Sequence, residues 1–123
     1  MWQWDCKNQH LIVRTIKAKT NPETKKLFWL LFAGSVGAKN RIRIMSVLRK
    51  RPSNRNQLST ELSLEYKGIQ HHIEVLEKNN LVKKTGHQYS MAYYVSELFM
   101  HNEIVFDEIR DKLKIRNEDY VHL

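Results

Sequence analysis

Cysteine, glycine and proline are scarce in this sequence. Its 123 residues include one cysteine, Cys6, with four glycines and two prolines. A single thiol cannot form an internal disulfide, a CxxC redox pair or a cysteine-rich zinc site. Such cysteine usage is typical of proteins in reducing compartments. We therefore expect an intracellular, cytoplasmic location.

Long apolar stretches are also missing. The longest one, residues 27–33, has seven residues, whereas a membrane-spanning helix needs about 20. Residues 1–5 lack the basic start and the apolar middle of a secretory signal. The sequence therefore predicts no membrane span and no export signal. Residues 27–32 are interpreted as a buried or subunit-contacting helix rather than a membrane-surface anchor.

Catalytic motifs are absent too. The sequence contains no phosphate-binding glycine loop, no nucleophile elbow and no HExxH pattern, so we expect a protein that is not an enzyme and uses no cofactor or metal ion. The neighbouring residues His71 and His72 could suggest a metal site, but on a helix their side chains point in different directions. We expect an outward-facing His71 and a packed, hydrogen-bonded His72.

The sequence does contain a strong excess of positive charge. Hydrophobic residues make up 41% and charged residues 28%, which is typical of one domain with a packed core. Lys and Arg number 21 against 13 Asp and Glu, and the net charge of +8 favours an anionic partner. By region, residues 1–38 carry +4, residues 39–84 carry +7 and residues 85–123 carry −3. We expect the anionic ligand to contact residues 39–84.

Helix signals begin after an amino-terminal extension, residues 1–24. Within it, residues 11–16 are rich in β-branched side chains and favour a strand. Asn21 and Pro22 then predict the start of a helix that runs to Ala33.

Two more helices follow. From Ala38 to Lys50 an apolar arc is predicted to oppose a polar side, the arc formed by Ile42, Ile44, Met45, Val47 and Leu48 and the polar side by Lys39, Arg43, Ser46 and Lys50. Asn54 stands three residues before Gln57, the spacing of a capping box, and predicts a short helix that ends near Leu62.

Residues 65–79 are predicted to form a fourth helix with one core face and one free face. The core face holds Tyr66, Ile69, Ile73 and Leu76, and the free face holds Lys67, His71, Glu74 and Lys78. Residues 81–85 and 91–95 flank a turn at residues 86–88 and predict a hairpin. Ser96 can cap a last helix, whose apolar stripe contains Leu98, Phe99, Val105, Phe106, Ile109 and Leu113.

The order of these elements predicts a mostly α fold with a small β-hairpin wing. It is the order of a winged helix-turn-helix with additional amino- and carboxy-terminal helices, in which the winged domain spans residues 25–96 and the last helix residues 97–123. In this arrangement the fourth helix can enter the major groove of DNA while the hairpin follows the backbone.

The same residues resemble a known family. The runs Arg41-Ile42-Arg43-Ile44-Met45-x-x-Leu48, Asn54-x-x-Gln57-Leu58-x-x-x-Leu62 and Tyr66-Lys67-x-Ile69-Gln70-His71-His72-Ile73 are similar to those of ArsR-type winged-helix regulators. Archaeal members are similar in two further places, the turn Phe32-Ala33-Gly34-Ser35-Val36-Gly37 and the run Tyr93-Tyr94-Val95-Ser96. The resemblance covers about residues 25–110.

The resemblance implies sequence-specific binding to double-stranded DNA, usually as a homodimer, with regulation of transcription as the outcome. It supplies no effector, and the cysteine pair with which many relatives sense metals has no counterpart in these helices. The candidate DNA-binding residues are Arg43, Asn54, Arg55, Asn56, Lys67, Gly68, Gln70, His71, Lys83, Lys84, His87 and Gln88. The candidate dimer-interface residues are Leu27, Trp29, Leu30, Leu98, Val105, Ile109 and Leu113.

Simpler interpretations stay open. The polar face of the fourth helix could be a solvated surface, and the hairpin lysines could be edge-strand charges that discourage aggregation. The last apolar stripe could merely cover the core. In a different class of function, the winged helix could be a protein- or RNA-interaction module without sequence-specific DNA binding.

Overall fold

The computed structural model describes residues 21–87 and 90–113, so the strand predicted at residues 11–16 lies outside the described residues. The described part is mostly helical with one antiparallel hairpin, as predicted. Its elements are α1 Pro22–Phe32, α2 Ala38–Lys50, α3 Arg55–Leu62, α4 Tyr66–Lys78, β1 Val82–Thr85, β2 Ala92–Val95, α5 Glu97–His101 and α6 Glu103–Leu113. None of these helices is long and apolar enough to cross a membrane.

Two helix starts follow directly from asparagine side chains. The Asn21 side-chain oxygen accepts the backbone N–H groups of Glu23 at 2.9 Å and Thr24 at 3.3 Å. Asn54 and Gln57 form the reciprocal capping box, with N–H donors 2.8 and 2.7 Å from the two side-chain oxygens. These bonds satisfy helix N–H groups that have no partner within the helix, so both predicted starts are confirmed.

Four phenylalanines join α1 to the carboxy-terminal helices. The ring centroids of Phe28 and Phe99 lie 5.9 Å apart, and Phe106 lies 5.0 Å from both Phe32 and Phe99. All four side chains are fully buried. Each such pair adds about 0.5–1.5 kcal/mol beyond the burial of its surface. The helices outside the helix-turn-helix therefore share its core.

The hairpin is anchored to the connection between α2 and α3. β1 pairs with β2 in the register Val82↔Val95 to Thr85↔Ala92. On its other side, β2 pairs with Ser53, whose N–H and carbonyl bond the carbonyl and N–H of Tyr93 at 3.0 and 2.8 Å. Sequence periodicity could not predict a pairing of one residue, yet this pairing fixes the hairpin relative to α3.

The last helix is not continuous, which corrects the prediction of one helix from Ser96. Ser96 caps α5 through the N–H of Phe99 at 3.2 Å, as expected. Asn102 then interrupts the helix, since its buried side-chain amide donates to the Leu98 carbonyl at 2.8 Å. Beyond this break, Val105 and Ile109 are 5% and 0% exposed and pack in the core.

Gly37 and Gly68 occupy opposite environments. Gly37 has a φ of +85°, and a Cβ placed there would lie 2.5 Å from Cε1 of His72. Gly68, within α4, has no such neighbour within 4 Å. Gly37 is therefore required by both conformation and space, whereas Gly68 is not required by packing.

This contrast predicts opposite effects of two alanine substitutions. Gly37→Ala should lower the free energy of unfolding by more than about 1 kcal/mol, because a left-handed backbone and a buried ring both oppose a Cβ. Gly68→Ala should raise it by up to about 1 kcal/mol through helix propensity. Urea denaturation of both variants measures the two changes. A stability loss on Gly68→Ala would contradict this account.

Candidate nucleic-acid interface

α4 presents the polar face that its sequence predicts. Ile69, Ile73 and Leu76 are fully buried, while Lys67, His71, Glu74 and Lys78 are exposed and Gln70 is half-buried. Tyr66, predicted on the core face, is instead 43% exposed at the first turn. The free face thus carries donors and acceptors that can reach a ligand in front of the helix.

The opposite side of α4 contains a polar contact that the sequence did not reveal. Arg41 in α2 is 3% exposed. Its Nε donates to the Leu31 carbonyl at 2.8 Å, its Nη2 donates to Ser35 Oγ, and its Nη1 lies 3.3 Å from Nδ1 of His72. Because a guanidinium only donates, Nδ1 must accept, which assigns the neutral tautomer with the proton on Nε2. The predicted packed, hydrogen-bonded His72 is confirmed.

His72 is kept neutral by its surroundings. Burial, followed by the charge of Arg41 and then that of His71, lowers the pKa of His72 to about 4. Burial also lowers the pKa of Arg41, but a guanidinium stays charged at any ordinary pH. Hence His72 accepts from Arg41 at neutral pH.

Four arginines in the basic segment 39–84 form hydrogen bonds or ion pairs with other residues of the chain. Arg41 is buried as described, and Arg43 is only 5% exposed, with Nη2 donating to the Leu62 carbonyl at 2.7 Å. The placement of Arg43 on the polar side of α2 was therefore wrong, because its guanidinium ties α2 to the end of α3. Arg49 pairs with Glu103 at 2.8 Å and with Asp107 at 2.9 Å, and Arg51 pairs with Glu61.

The lysines of the basic segment, in contrast to these arginines, are exposed. Among the described residues none of them forms an ion pair; they are Lys39, Lys50, Lys67, Lys78, Lys83 and Lys84. Two of them stand next to each other on β1, opposite Tyr94 and Tyr93. The surface charge available to an anionic ligand is thus carried by α2, by α4 and by the hairpin.

The other candidate DNA-binding residues lie around the start of α3 and the hairpin turn. Arg55 is half-buried with its Cζ 5.5 Å from the Tyr93 ring centroid. The Asn54 side-chain oxygen caps α3, and Asn56 and His87 are exposed. Gln88 lies outside the described residues.

The candidate dimer residues divide by exposure. Leu30 and Leu113 are 55% and 43% exposed. Ile104 in α6, which was not among the candidates, is 60% exposed. Half-buried positions are Leu27, Trp29 and Leu98, and fully packed ones are Val105 and Ile109. An apolar outer surface therefore remains on α1 and α6, but it includes fewer of the predicted residues than expected.

Metal ligands do not cluster in the described part of the chain. No group of three or more His, Cys, Asp or Glu side chains there could hold a metal ion. His71 and His72 lie with ring centroids 5.4 Å apart, and His72 is committed to Arg41.

Part of this sequence matches a known protein family. Residues 38–84 match the family described as "Bacterial regulatory protein, arsR family". The match covers α2, α3, α4 and most of β1, which is less than half of the chain. No curated protein matches the chain.

Solved structures share the fold over most of the chain. Reduced HlyU from Vibrio cholerae N16961 has a TM-score of 0.55 at 18% identity, over 76% of this chain and 93% of its own. The transcriptional regulator BldR from Sulfolobus solfataricus has a TM-score of 0.50 at 14% identity, over 96% and 92%. FabT from Streptococcus pneumoniae, solved in complex with DNA, has 0.50 at 10%, over 93% and 79%. These likenesses establish the fold.

The depressed pKa of His72 predicts a loss of stability on acidification. The unfolded chain takes up this proton near pH 6.5 and the folded chain only near pH 4, so stability falls as the pH drops through that window. The loss should reach up to about 3 kcal/mol. His72→Gln keeps an acceptor for Arg41 but cannot titrate. Urea denaturation at pH 7 and pH 4.5 should show a clearly smaller loss in His72→Gln, and equal losses in both proteins would refute the assignment.

Proposed function

We propose that this protein is a cytoplasmic transcription regulator that binds double-stranded DNA in a sequence-specific manner. In this proposal α4 enters the major groove and the hairpin follows the flanking backbone. The observation that carries it is the exposed polar face of α4, beside exposed lysines on the hairpin, within a winged helix-turn-helix. The match of residues 38–84 to the arsR family supports this assignment, and FabT, which has a similar fold, was solved in complex with DNA.

Base reading is assigned to the exposed face of α4. Gln70 and His71 can hydrogen-bond to base edges, and Lys67 can donate to a base or a phosphate. The open space at Gly68 lets the DNA backbone approach the helix closely, since no side chain fills it. Arg55 and Asn56 extend this surface at the start of α3, where a first helix commonly crosses the backbone.

Phosphate binding is assigned to the hairpin. Lys83 and Lys84 are exposed and free of acidic partners among the described residues. Their strand, β1, pairs with β2, which is held in place by the pairing of Ser53 with Tyr93. A fixed hairpin places its charges at a constant distance from α4, which suits a duplex of constant groove width. His87 lies near the hairpin turn and can contribute a further donor.

The acidic residues of the carboxy-terminal region favour one orientation on DNA. Glu103 and Asp107 in α6 are bound by Arg49 from α2. The single guanidinium offsets only one of these two negative charges. The surface of α6 would still repel phosphates, so the duplex should lie on the side of α4 and the hairpin.

A salt titration of duplex binding tests the proposed function. The logarithm of affinity should fall with the logarithm of salt concentration, by a slope of about −0.9 for each neutralised phosphate. Gln70→Ala should reduce the ratio of the affinity for a selected duplex to the affinity for random DNA. Lys84→Ala should lower both affinities alike and reduce the magnitude of the salt slope by about one. Fluorescence anisotropy with labelled duplexes gives both quantities.

Three results would count against this proposal. They are the absence of duplex binding near 50 mM salt, an affinity indifferent to salt, and equal losses on all sequences for every variant. Unlabelled RNA that displaces the duplex at equal concentration would favour the RNA-interaction alternative instead.

We also infer that the protein binds DNA as a homodimer through α1 and α6. Leu30, Ile104 and Leu113 expose apolar surface on these two helices. A two-fold dimer would bury the same surface on both subunits and place two copies of α4 on an inverted repeat.

The dimer is tested by charge on this exposed surface. Leu30→Glu or Ile104→Glu should yield monomers in analytical ultracentrifugation, because a carboxylate cannot be buried there without a partner. Thr60→Glu, an exposed position on α3, is the matched control and should leave the mass unchanged. Ile109 is unsuitable for this test, since a charge at a fully buried site would unfold the chain. An unaltered dimer in both interface variants would disprove the assigned surface.

A further inference from the structure

Arg41 joins three segments of the chain at one buried guanidinium. Its acceptors are the Leu31 carbonyl in the last turn of α1, the Ser35 hydroxyl in the following turn and the His72 ring in α4. A guanidinium presents its donors in a rigid planar fork. The three acceptors are therefore held in one relative orientation, which fixes the position of α4 relative to the end of α1.

The contact with His72 constrains the rotation of α4 about its own axis. The apolar contacts of Ile69, Ile73 and Leu76 hold the helix against the core, but hydrophobic contact is not directional. The hydrogen bond from Arg41 is directional, with a useful range of only a few tenths of an ångström. It is therefore more sensitive to a small turn of the helix than the apolar contacts are.

A small turn is enough to disturb base contacts. A helix with its side chains has a radius of about 5–6 Å, so a rotation of about 10° moves an outward side-chain end by about 1 Å. Gln70 and His71 precede His72 directly in the sequence. A shift of about 1 Å exceeds the spread of hydrogen-bond lengths and would break a bond to a base edge.

The backbone around this contact is shaped to admit it. At Gly37 a Cβ would lie 2.5 Å from Cε1 of His72 and 3.3 Å from Nη1 of Arg41. The α1–α2 turn thus lies directly against the histidine ring. The absence of a side chain at Gly37 leaves room for the His72 ring beside Arg41.

We propose that Arg41 is a positioning residue for DNA recognition, which sets the rotation of α4 by tying His72 to the end of α1. The inference rests on the proposed DNA-binding function and goes beyond it, because sequence discrimination depends here on a side chain that is buried and never touches DNA.

The test compares Arg41→Met with Arg49→Met, a matched change in the same helix. Arg49 binds Glu103 and Asp107 in α6, whereas Arg41 contacts α4. Affinities are measured for a duplex selected by the wild-type protein from a random library and for random duplex. Arg41→Met should lower the ratio of the two affinities about tenfold, the effect of losing one base contact. The affinity for random duplex should stay within about twofold, and Arg49→Met should keep the ratio.

The route through His72 is tested by combining substitutions. His72→Leu should lower the ratio as Arg41→Met does, and the double variant should lower it no further, since both remove the same bond. Arg41→Lys should not restore the ratio, because an ammonium cannot hold three acceptors at fixed positions. Additive losses in the double variant would overturn the proposed route.

Circular dichroism shows whether each variant is folded. If Arg41→Met does not fold, His72→Leu replaces it, because this substitution removes the bond between Arg41 and α4 and leaves the cation with its other two acceptors. An unchanged ratio in a folded Arg41→Met, or in His72→Leu where that variant stands in, overturns the inference, as does an equal fall in Arg49→Met. Absence of duplex binding by the wild-type protein would instead overturn the proposed function itself.

Discussion

A charged guanidinium buried among neutral groups is the constraint that the helical arrangement has to satisfy. Among the described residues, the hydrogen-bond partners of Arg41 include no carboxylate. A buried cation without compensation costs several kcal/mol. The compensation comes from the carboxy-terminal end of α1, where helix carbonyls carry partial negative charge, and from a neutral imidazole. The end of α1, the glycine turn and α4 must therefore meet at Arg41.

The positive charge of the chain divides into an internal and an external part. Arg41 and Arg43 in α2 are buried and donate hydrogen bonds to backbone carbonyls at the ends of α1 and α3. These bonds fix the two helix ends. Arg49 joins the same helix to α6. The lysines of residues 39–84 remain on the surface and form no ion pair with another described residue. This division matches the chemistry of the two residues, since arginine suits planar, fixed contacts and lysine remains hydrated.

The helices and the hairpin could be predicted because their signals are local. Capping at Asn21 and Asn54 and the spacing of Ile69, Ile73 and Leu76 in α4 depend only on near neighbours in the sequence. The contacts that could not be predicted involve distant residues. Periodicity placed Arg43 on a polar face, but a long side chain can turn inward to a carbonyl 19 residues away.

The break at Asn102 was missed although the contact that marks it is local. Apolar spacing continues across it, and only the bond from its amide to the Leu98 carbonyl marks the interruption. The exposure of the candidate DNA-binding and dimer residues could be predicted for some of them but not for others. Exposure of Lys67 and His71 followed from α4 alone, whereas the burial of Val105 and Ile109 required the packing of α6 against the core. Roles in DNA binding and dimerisation stay predictions.

The pairing of Ser53 with Tyr93 has a consequence for how such a chain can diverge. Because β2 is held on one side by β1 and on the other by Ser53, the paired strands of the hairpin are anchored independently of its turn. Insertions or deletions between Gly86 and Ser90 would then change the reach of the hairpin without moving α4. Under the proposed function, a lineage could change how much DNA backbone the hairpin contacts while α4 keeps its position.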